Sequence, residues 1–380
     1  MDYVEDLSTR GWRKRCANDG AEFIRVSLVL KSYGQRISGR FWKIHTLFLY
    51  CRIYFNIMRI KMVCFDLPHG RNVALCTGDI SYNVPGLFIH TELVIKLIQM
   101  IEKKFDYRLP IQYIYGAPLV RWNGGRLLLN KHIRPFQPDD VEKEIRSAKQ
   151  YGMTPLITFS NLLLDIDDIH DRDCNCLLDI IRYYEGEVII ASDCLYEYIS
   201  DKYPEIPIHA SVIMTAQQET RDKNYYDLLS QKYAHYVVHP DDNFDRKLLN
   251  SIKKENAEIL VNERCVFACP LRKRHYESIS EEQFREVEGE KVHFSFLDSC
   301  SFIPEYKQYY TSRRNVSLSV AEVRDLAREG FTCFKIQGRE GDLPIYFFDL
   351  MRYMLEESIA FPTSYITFMQ YLKHYRGSLL

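Results

Sequence analysis

The residues of this 380-residue sequence best suited to chemistry crowd into one stretch, Asn262-Glu263-Arg264-Cys265-Val266-Phe267-Ala268-Cys269-Pro270-Leu271-Arg272-Lys273-Arg274-His275. Cys265 and Cys269 are separated by three residues and can turn towards one centre, and Cys300 returns downstream. Thiolates in such a set hold softer metals and iron–sulfur clusters. The neighbouring Arg264, Arg272, Lys273 and Arg274 would lower the thiol pKa values and offset the negative charge of a cluster. His275 would complete a Cys₃His zinc site, whereas Cys76 could complete an all-cysteine one. Cys-x₃-Cys is less diagnostic than two Cys-x₂-Cys pairs, so ordinary buried or reactive thiols without metal are the competing reading. Cys174 and Cys176 are expected to open a helix and to be structural.

Around these thiols, Glu263 is the candidate general base, with an ion pair as its plainer role. Lys335 alternates with Phe334 and Ile336 and so points opposite to them. A charge inside such a strand is rarely buried unpaired, which makes Lys335 the second candidate catalytic residue. Arg339 could clamp a carboxylate or phosphate through its planar fork, or simply pair with Glu340. Asn123-Gly124-Gly125-Arg126 could cradle an anion or be a plain turn, and Trp122 could stack on a base. Asn161, Asn262, Arg126 and Arg339 are thus the candidate substrate-binding residues. Ser160, Ser211 and His239 fall at strand ends, where such side chains bind ligands or cap the next helix. No Ser-His-Asp context, Walker loop or His-Glu-x-x-His helix is present.

The elements that must hold these residues alternate short β-branched or aromatic runs with helical patterns, the mark of a parallel-stranded α/β protein. Eight strands are expected, at Val73–Thr77, Gln112–Tyr115, Leu156–Phe159, Val188–Ala191, Ile208–Ser211, His235–Val238, Glu258–Val261 and Cys333–Ile336. Val141, Ile145 and Ala148 line one face of a helix that follows Pro138 and stops at Gly152. Ser319 and Glu322 form a capping box ahead of Val323 and Ala327, with Gly330 as the stop. Eight strand–helix units suit a (β/α)₈ TIM-like barrel, usually about 250 residues long, over residues 62–357. A doubly wound sheet would carry a Gly-rich loop after its first strand, and Cys76-Thr77-Gly78-Asp79 is not one. Residues 264–317 are too long for a simple link between strands seven and eight and form an insertion, with its own short run at Val292–Phe296. Residues 358–380 read as an aromatic tail.

The net charge of -1 gives no whole-chain case for nucleic-acid binding. Residues 1–61 nevertheless carry 12 Lys/Arg against 5 Asp/Glu, and no acidic residue occurs from Phe23 to Met62. This basic, aromatic extension could contact RNA, a membrane surface or a partner. Alternatively, with Met58 and Met62 close to the first expected strand, residues 1–57 stand outside the folded domain. The most apolar window, Ile44 to Met58, is shorter than the roughly 20 residues a span requires and contains Arg52, so no transmembrane helix is expected. Asp2, Glu5 and Asp6 argue against a secretory signal, and 11 cysteines make no dense even framework, so a reducing cytoplasm is the expected setting.

As an ordered set, Asn262-Glu263-Arg264-Cys265 through Cys269-Pro270-x-Arg272-x-x-His275, then Cys300, then Phe334-Lys335-Ile336-Gln337-Gly338-Arg339, resembles the peptidase U32 (collagenase-like peptidase) family. Tyr113-x-Tyr115-Gly116 is similar to that family's early strand end, and the resemblance covers roughly Val73 to Glu357. It implies a (β/α)₈-like barrel. Characterised relatives include hydroxylases of tRNA, ribosomal RNA and ubiquinone precursors, several of which bind a 4Fe-4S cluster through four cysteines; some use prephenate as hydroxyl donor. In this sequence Cys265, Cys269 and Cys300 match that pattern and the region between them is shortened. The expected substrate is therefore an RNA base or small aromatic molecule, with a peptide as the alternative that the family name implies.

Overall fold

The computed structural model describes residues 73–124, 136–290, 312–338, 343–360 and 363–364. Eight parallel strands close into a barrel in sequence order: β1 (Ser81–Pro85), β2 (Ile111–Gly116), β3 (Thr154–Phe159), β4 (Glu187–Ile190), β5 (Ile208–Ala210), β6 (His235–Val238), β7 (Ala257–Leu260) and β8 (Cys333–Lys335), with β8 pairing back onto β1. The (β/α)₈ TIM-like fold class expected from the sequence is therefore correct.

Seven strands lie within two residues of their expected bounds. The first does not. Val73–Thr77 is not a barrel strand: Ala74 only bridges antiparallel to Leu355, and Gly78, at φ +104°, turns the chain before β1 begins. Asn83 and Pro85, both disfavoured in strands, hid β1 from the sequence. Asn83 points inward, where its amide meets Cys333 Sγ at 3.6 Å, and Pro85 occupies the last position.

Helices α1 (Thr91–Phe105), α2 (Pro138–Gln150), α3 (Arg172–Tyr183), α4 (Asp193–Lys202), α5 (Val212–Gln217), α6 (Lys223–Lys232) and α7 (Arg246–Ser251) follow the strands. In α2, Val141, Ile145 and Ala148 are buried as their spacing requires, behind the proline start. The chain continues through α8 (Arg272–Val287), α9 (Val320–Arg328) and α10 (Leu343–Met354). The capping box of α9 is complete: Ser319 Oγ accepts from the Glu322 amide, and the Glu322 carboxylate accepts from the Ser319 amide at 2.7 Å.

The exception is α8, which lies across the C-terminal mouth. Its Tyr276 and Ile279 pack against Ala191, Val212, Ile213, Val237 and Leu260. Further along, Ser280 receives the Asn161 amide through its carbonyl at 3.2 Å and the Leu162 amide through its hydroxyl at 3.1 Å. Asn123 Nδ2 reaches Gln283 at 3.4 Å, and Arg121 pairs with Glu288 at 3.3 Å. One helix thus ties the exits of β2 through β7 together.

Residues 1–61, the run Val292–Phe296, Arg126, Cys300, Arg339 and nearly all of the C-terminal tail lie outside the described residues. The window Ile44 to Met58 does too. Among the described residues no helix is long and apolar enough to cross a membrane.

Candidate functional site

The thiol rim begins where β7 ends. Asn262 staples the exits of β7 and β8: its Nδ2 donates to the Gln337 carbonyl at 2.7 Å and to Asp349 at 3.0 Å, and its Oδ1 accepts from the Gln337 amide at 2.7 Å. Gln337 returns the contact through Nε2, which donates to the Asn262 carbonyl at 3.1 Å and to buried Glu263 at 3.4 Å. Gly338 follows because a Cβ there would lie 2.6 Å from Pro85. Much of the late-strand motif is therefore explained by packing of the two strand ends.

Beyond Glu263 the chain makes a tight excursion in which Ala268 takes a left-handed φ of 49°, costly for a non-glycine residue. The segment before α9 holds it in place. Val316 donates to the Cys265 carbonyl at 3.0 Å, Phe267 donates to the Arg314 carbonyl at 2.9 Å, and Arg313 donates to the Ala268 carbonyl. The excursion brings buried Cys265 and half-buried Cys269 into a hydrogen bond. That bond first, and burial second, push the Cys265 thiol well above its ordinary value, against the pull of Arg272. For Cys265 the expected net lowering by the basic cluster is thus overturned. Arg264 turns to Asp349 at 3.5 Å, Lys273 and Arg274 are exposed, and buried Arg272 pulls the Cys265 thiol down.

Arg272 is buried at the start of α8 and has three partners: Val266 carbonyl and Asp241, each at 2.9 Å, and His239 Nε2 at 3.0 Å. A guanidinium only donates, so Nε2 accepts, and the Asp241 amide donates to Nδ1 at 3.2 Å; donors at both ring nitrogens disfavour the protonated imidazole. Burial, aided by Arg272 and Arg221, lowers His239 to about 2. Below the unfolded-state value near 6.5 the unfolded chain takes up a proton that the folded chain refuses, so stability falls as pH falls. His239→Gln, which keeps an acceptor for Arg272, should remove a slope of about 1.4 kcal/mol per pH unit between pH 6 and pH 4. Urea midpoints at several pH values check it; an unchanged slope would refute the assignment.

A second assembly occupies the barrel interior towards the N-terminal mouth. His209 stands between two glutamates, with Nε2 at 2.5 Å from Glu187 and Nδ1 at 3.0 Å from Glu258. Tyr113 donates to Glu187 at 3.1 Å, and Lys335 Nζ donates to the other Glu258 oxygen at 3.2 Å while lying 4.7 Å from the centre of the Tyr115 ring. These bonds join β2 to β4 and β5 to β7, strands that are not neighbours, so they run through the interior. Burial opposes charge on His209, but the hydrogen bonds it donates to both glutamates outweigh it and raise the imidazole above its ordinary value. Burial likewise opposes charge on Glu258, but Lys335 and His209 hold its carboxyl far below the usual range. Beside this network His235, Glu258 and Cys333 place one ligand atom each within 4.8 Å of one another. Among the described residues this is the only group of three His, Cys, Asp or Glu side chains so arranged.

The structure thus sorts the sequence candidates. Glu263 and Asn262 lie at the thiol rim, and Asn161 is a clamp beneath α8 that binds the Asn123 and Ser280 carbonyls. Ser211 caps α5. Lys335 points away from the rim, into the interior. His275 lies in the first turn of α8 and joins no group of three. Cys76 precedes β1 and so falls at the N-terminal end, opposite the thiols, which excludes it as their fourth ligand. Trp122 is not an exposed stacking surface: it is fully buried, and its indole donates to the Asp168 carbonyl at 2.7 Å. Cys174 is buried under Trp122, whose amide it accepts. Sequence reasoning missed Glu187, His209, His235, Glu258 and Cys333. The argument applied to Lys335, that a polar residue inside a strand needs an interior partner, identifies His209 and Glu258 equally well.

These features define a closed (β/α)₈ barrel with a paired-thiol rim at one end and a charged interior at the other. Among solved structures it is similar to that of the U32 peptidase Mk0906, at 14% identity and a TM-score of 0.44, covering 73% of this chain and 98% of that one. It is also similar to the citrate synthase SbnG, at 11% identity, TM-score 0.23 and coverage of 70% and 80%. A GH113 beta-1,4-mannanase complex matches at 9% identity, TM-score 0.28 and coverage of 78% and 98%. No family model and no curated protein matches the chain.

Proposed function

We propose that this chain is a U32-like barrel enzyme whose chemistry is run by a thiolate-bound metal or 4Fe-4S centre at the C-terminal rim, held by Cys265, Cys269 and Cys300. The observation that carries the reading is the strained turn at Ala268, which brings two cysteines four positions apart into contact. Two thiols fit such a centre. Among the described residues no third ligand joins them, so the proposal requires Cys300 from the insertion, whose described end at Ser312 to Val316 returns to Cys265.

The centre would supply electron transfer or Lewis acidity for hydroxylating an RNA base or small aromatic ring. A hydroxyl-donating co-substrate would bring both the oxygen atom and the two oxidising equivalents. Glu263 would hold or accept the ring proton, Asn262 and Asn161 would fix the walls, and Arg126 and Arg339 would bind substrate carboxylate or phosphate.

Protein purified without oxygen should be brown and contain iron and sulfide. Cys265→Ser combined with Cys269→Ser should remove at least nine-tenths of both. Colourless protein holding stoichiometric zinc would make the centre a zinc site, whereas metal-free protein, or metal content unchanged in that variant, rejects the centre. Peptide hydrolysis surviving replacement of all three cysteines would move the function to a peptidase.

A further inference from the structure

We propose that His235, Glu258 and Cys333 form a second metal site, for a zinc-class divalent ion, at the N-terminal mouth of the barrel, distinct from the thiol rim. The three residues come from adjacent strands: His235 opens β6, Glu258 is the second residue of β7, and Cys333 opens β8 directly opposite Glu258 in the register. Their ligand atoms lie within 4.8 Å of one another. A tetrahedral site with bonds of about 2.0–2.3 Å needs them about 3.3–3.7 Å apart, so a contraction of roughly 1 Å closes it.

Independent observations indicate that the group is built to receive an ion. His235 Nδ1 is buried and has no hydrogen-bond partner among the described residues, and neither does Oδ1 of fully buried Asn83, whose amide nitrogen faces Cys333 Sγ. Such orphaned buried acceptors are rare unless something else fills their lone pairs. The Glu258 oxygens each accept one bond, from His209 and Lys335, and each keeps a lone pair. Those two contacts orient the carboxylate, as the outer partners of metal ligands commonly do. His235 and Cys333 also line a cavity of about 520 Å³ with Ser81, Gln112 and Thr332, so a fourth coordination position opens to the mouth and can carry water.

One thiolate, one carboxylate and one imidazole form the mixed donor set that zinc accepts with an exchangeable fourth ligand. The thiolate and carboxylate together neutralise a divalent ion, and the thiol proton leaves to solvent through the mouth.

The test is cobalt(II) titration of chelator-treated full-length protein in which Cys265, Cys269 and Cys300 are all serine, which silences the rim. One equivalent should bind with a thiolate-to-cobalt charge-transfer band, and zinc should displace it. Adding Cys333→Ser should abolish the band. His235→Phe, which fills the same space without a ligand nitrogen, should weaken binding at least tenfold with an unchanged far-ultraviolet circular dichroism spectrum. No band in the triple-serine protein, a band that survives Cys333→Ser, or unchanged affinity in His235→Phe each overturns the site. Should Cys333→Ser fail to fold, the His235→Phe titration decides alone. Loss of iron from the rim with retention of the cobalt band would separate the two centres.

Discussion

Glu258→Leu should destabilise the protein by about 3–5 kcal/mol, read as a lowered urea midpoint at pH 7 and measured without added metal. The carboxylate is fully buried, and its loss strands two groups at once: Lys335 loses its acceptor and His209 loses the contact at Nδ1. The larger part of that cost is the desolvated ammonium left behind, rather than the intrinsic worth of the pair. Lys335→Met added to Glu258→Leu should therefore recover most of the loss, because two apolar side chains of similar volume need no partner and His209 keeps Glu187. A double variant no more stable than the single one would show that the cost lies in packing rather than in the orphaned charge.

Gly124→Ala should cost about 3 kcal/mol, near the upper end of what added core atoms usually impose. A Cβ at Gly124 would lie 2.2 Å from the Ser160 carbonyl oxygen and 2.4 Å from Asn161 backbone atoms. Backbone cannot swing aside as a flexible side chain can. The Asn161 amide also donates to the Trp122 carbonyl at 3.0 Å, so the exits of β2 and β3 would have to part. This gives the Asn123-Gly124 pair a purpose that its sequence does not disclose: the glycine permits two loops to touch. Thermal unfolding measures the effect, and a melting point equal to that of the parent would refute it.

How much of the molecule the sequence discloses follows from the range of the forces involved. The strands β2 to β8 and helices α2 and α9 are legible because their signals are local, consisting of apolar runs, a proline start and a capping box. β1 is concealed by Asn83 and Pro85, whose presence in a strand makes sense only beside Cys333 and at the turn into Gly86. α8 is concealed because its buried face mixes Tyr276 and Ile279 with Arg272, Ser280 and Gln283, so apolar periodicity is weak. Those polar residues are buried because loops far apart in sequence meet them. The contact between Cys265 and Cys269 agrees with their spacing, whereas the raised Cys265 thiol follows from that contact and from burial, which outweigh Arg272 and are not visible in the sequence. His235, Glu258 and Cys333 are separated by 23 and 75 positions and become neighbours only when the ring closes.

The helix laid over the C-terminal mouth has a consequence for how anything approaches the rim. Barrel enzymes commonly receive their substrates along the central axis, but here that axis is roofed by Tyr276 and Ile279. Cys265 and Cys269 sit just ahead of the roof, off to one side. Among the described residues the axial route is therefore closed, and half-buried Cys269 meets solvent beside the helix rather than beneath it.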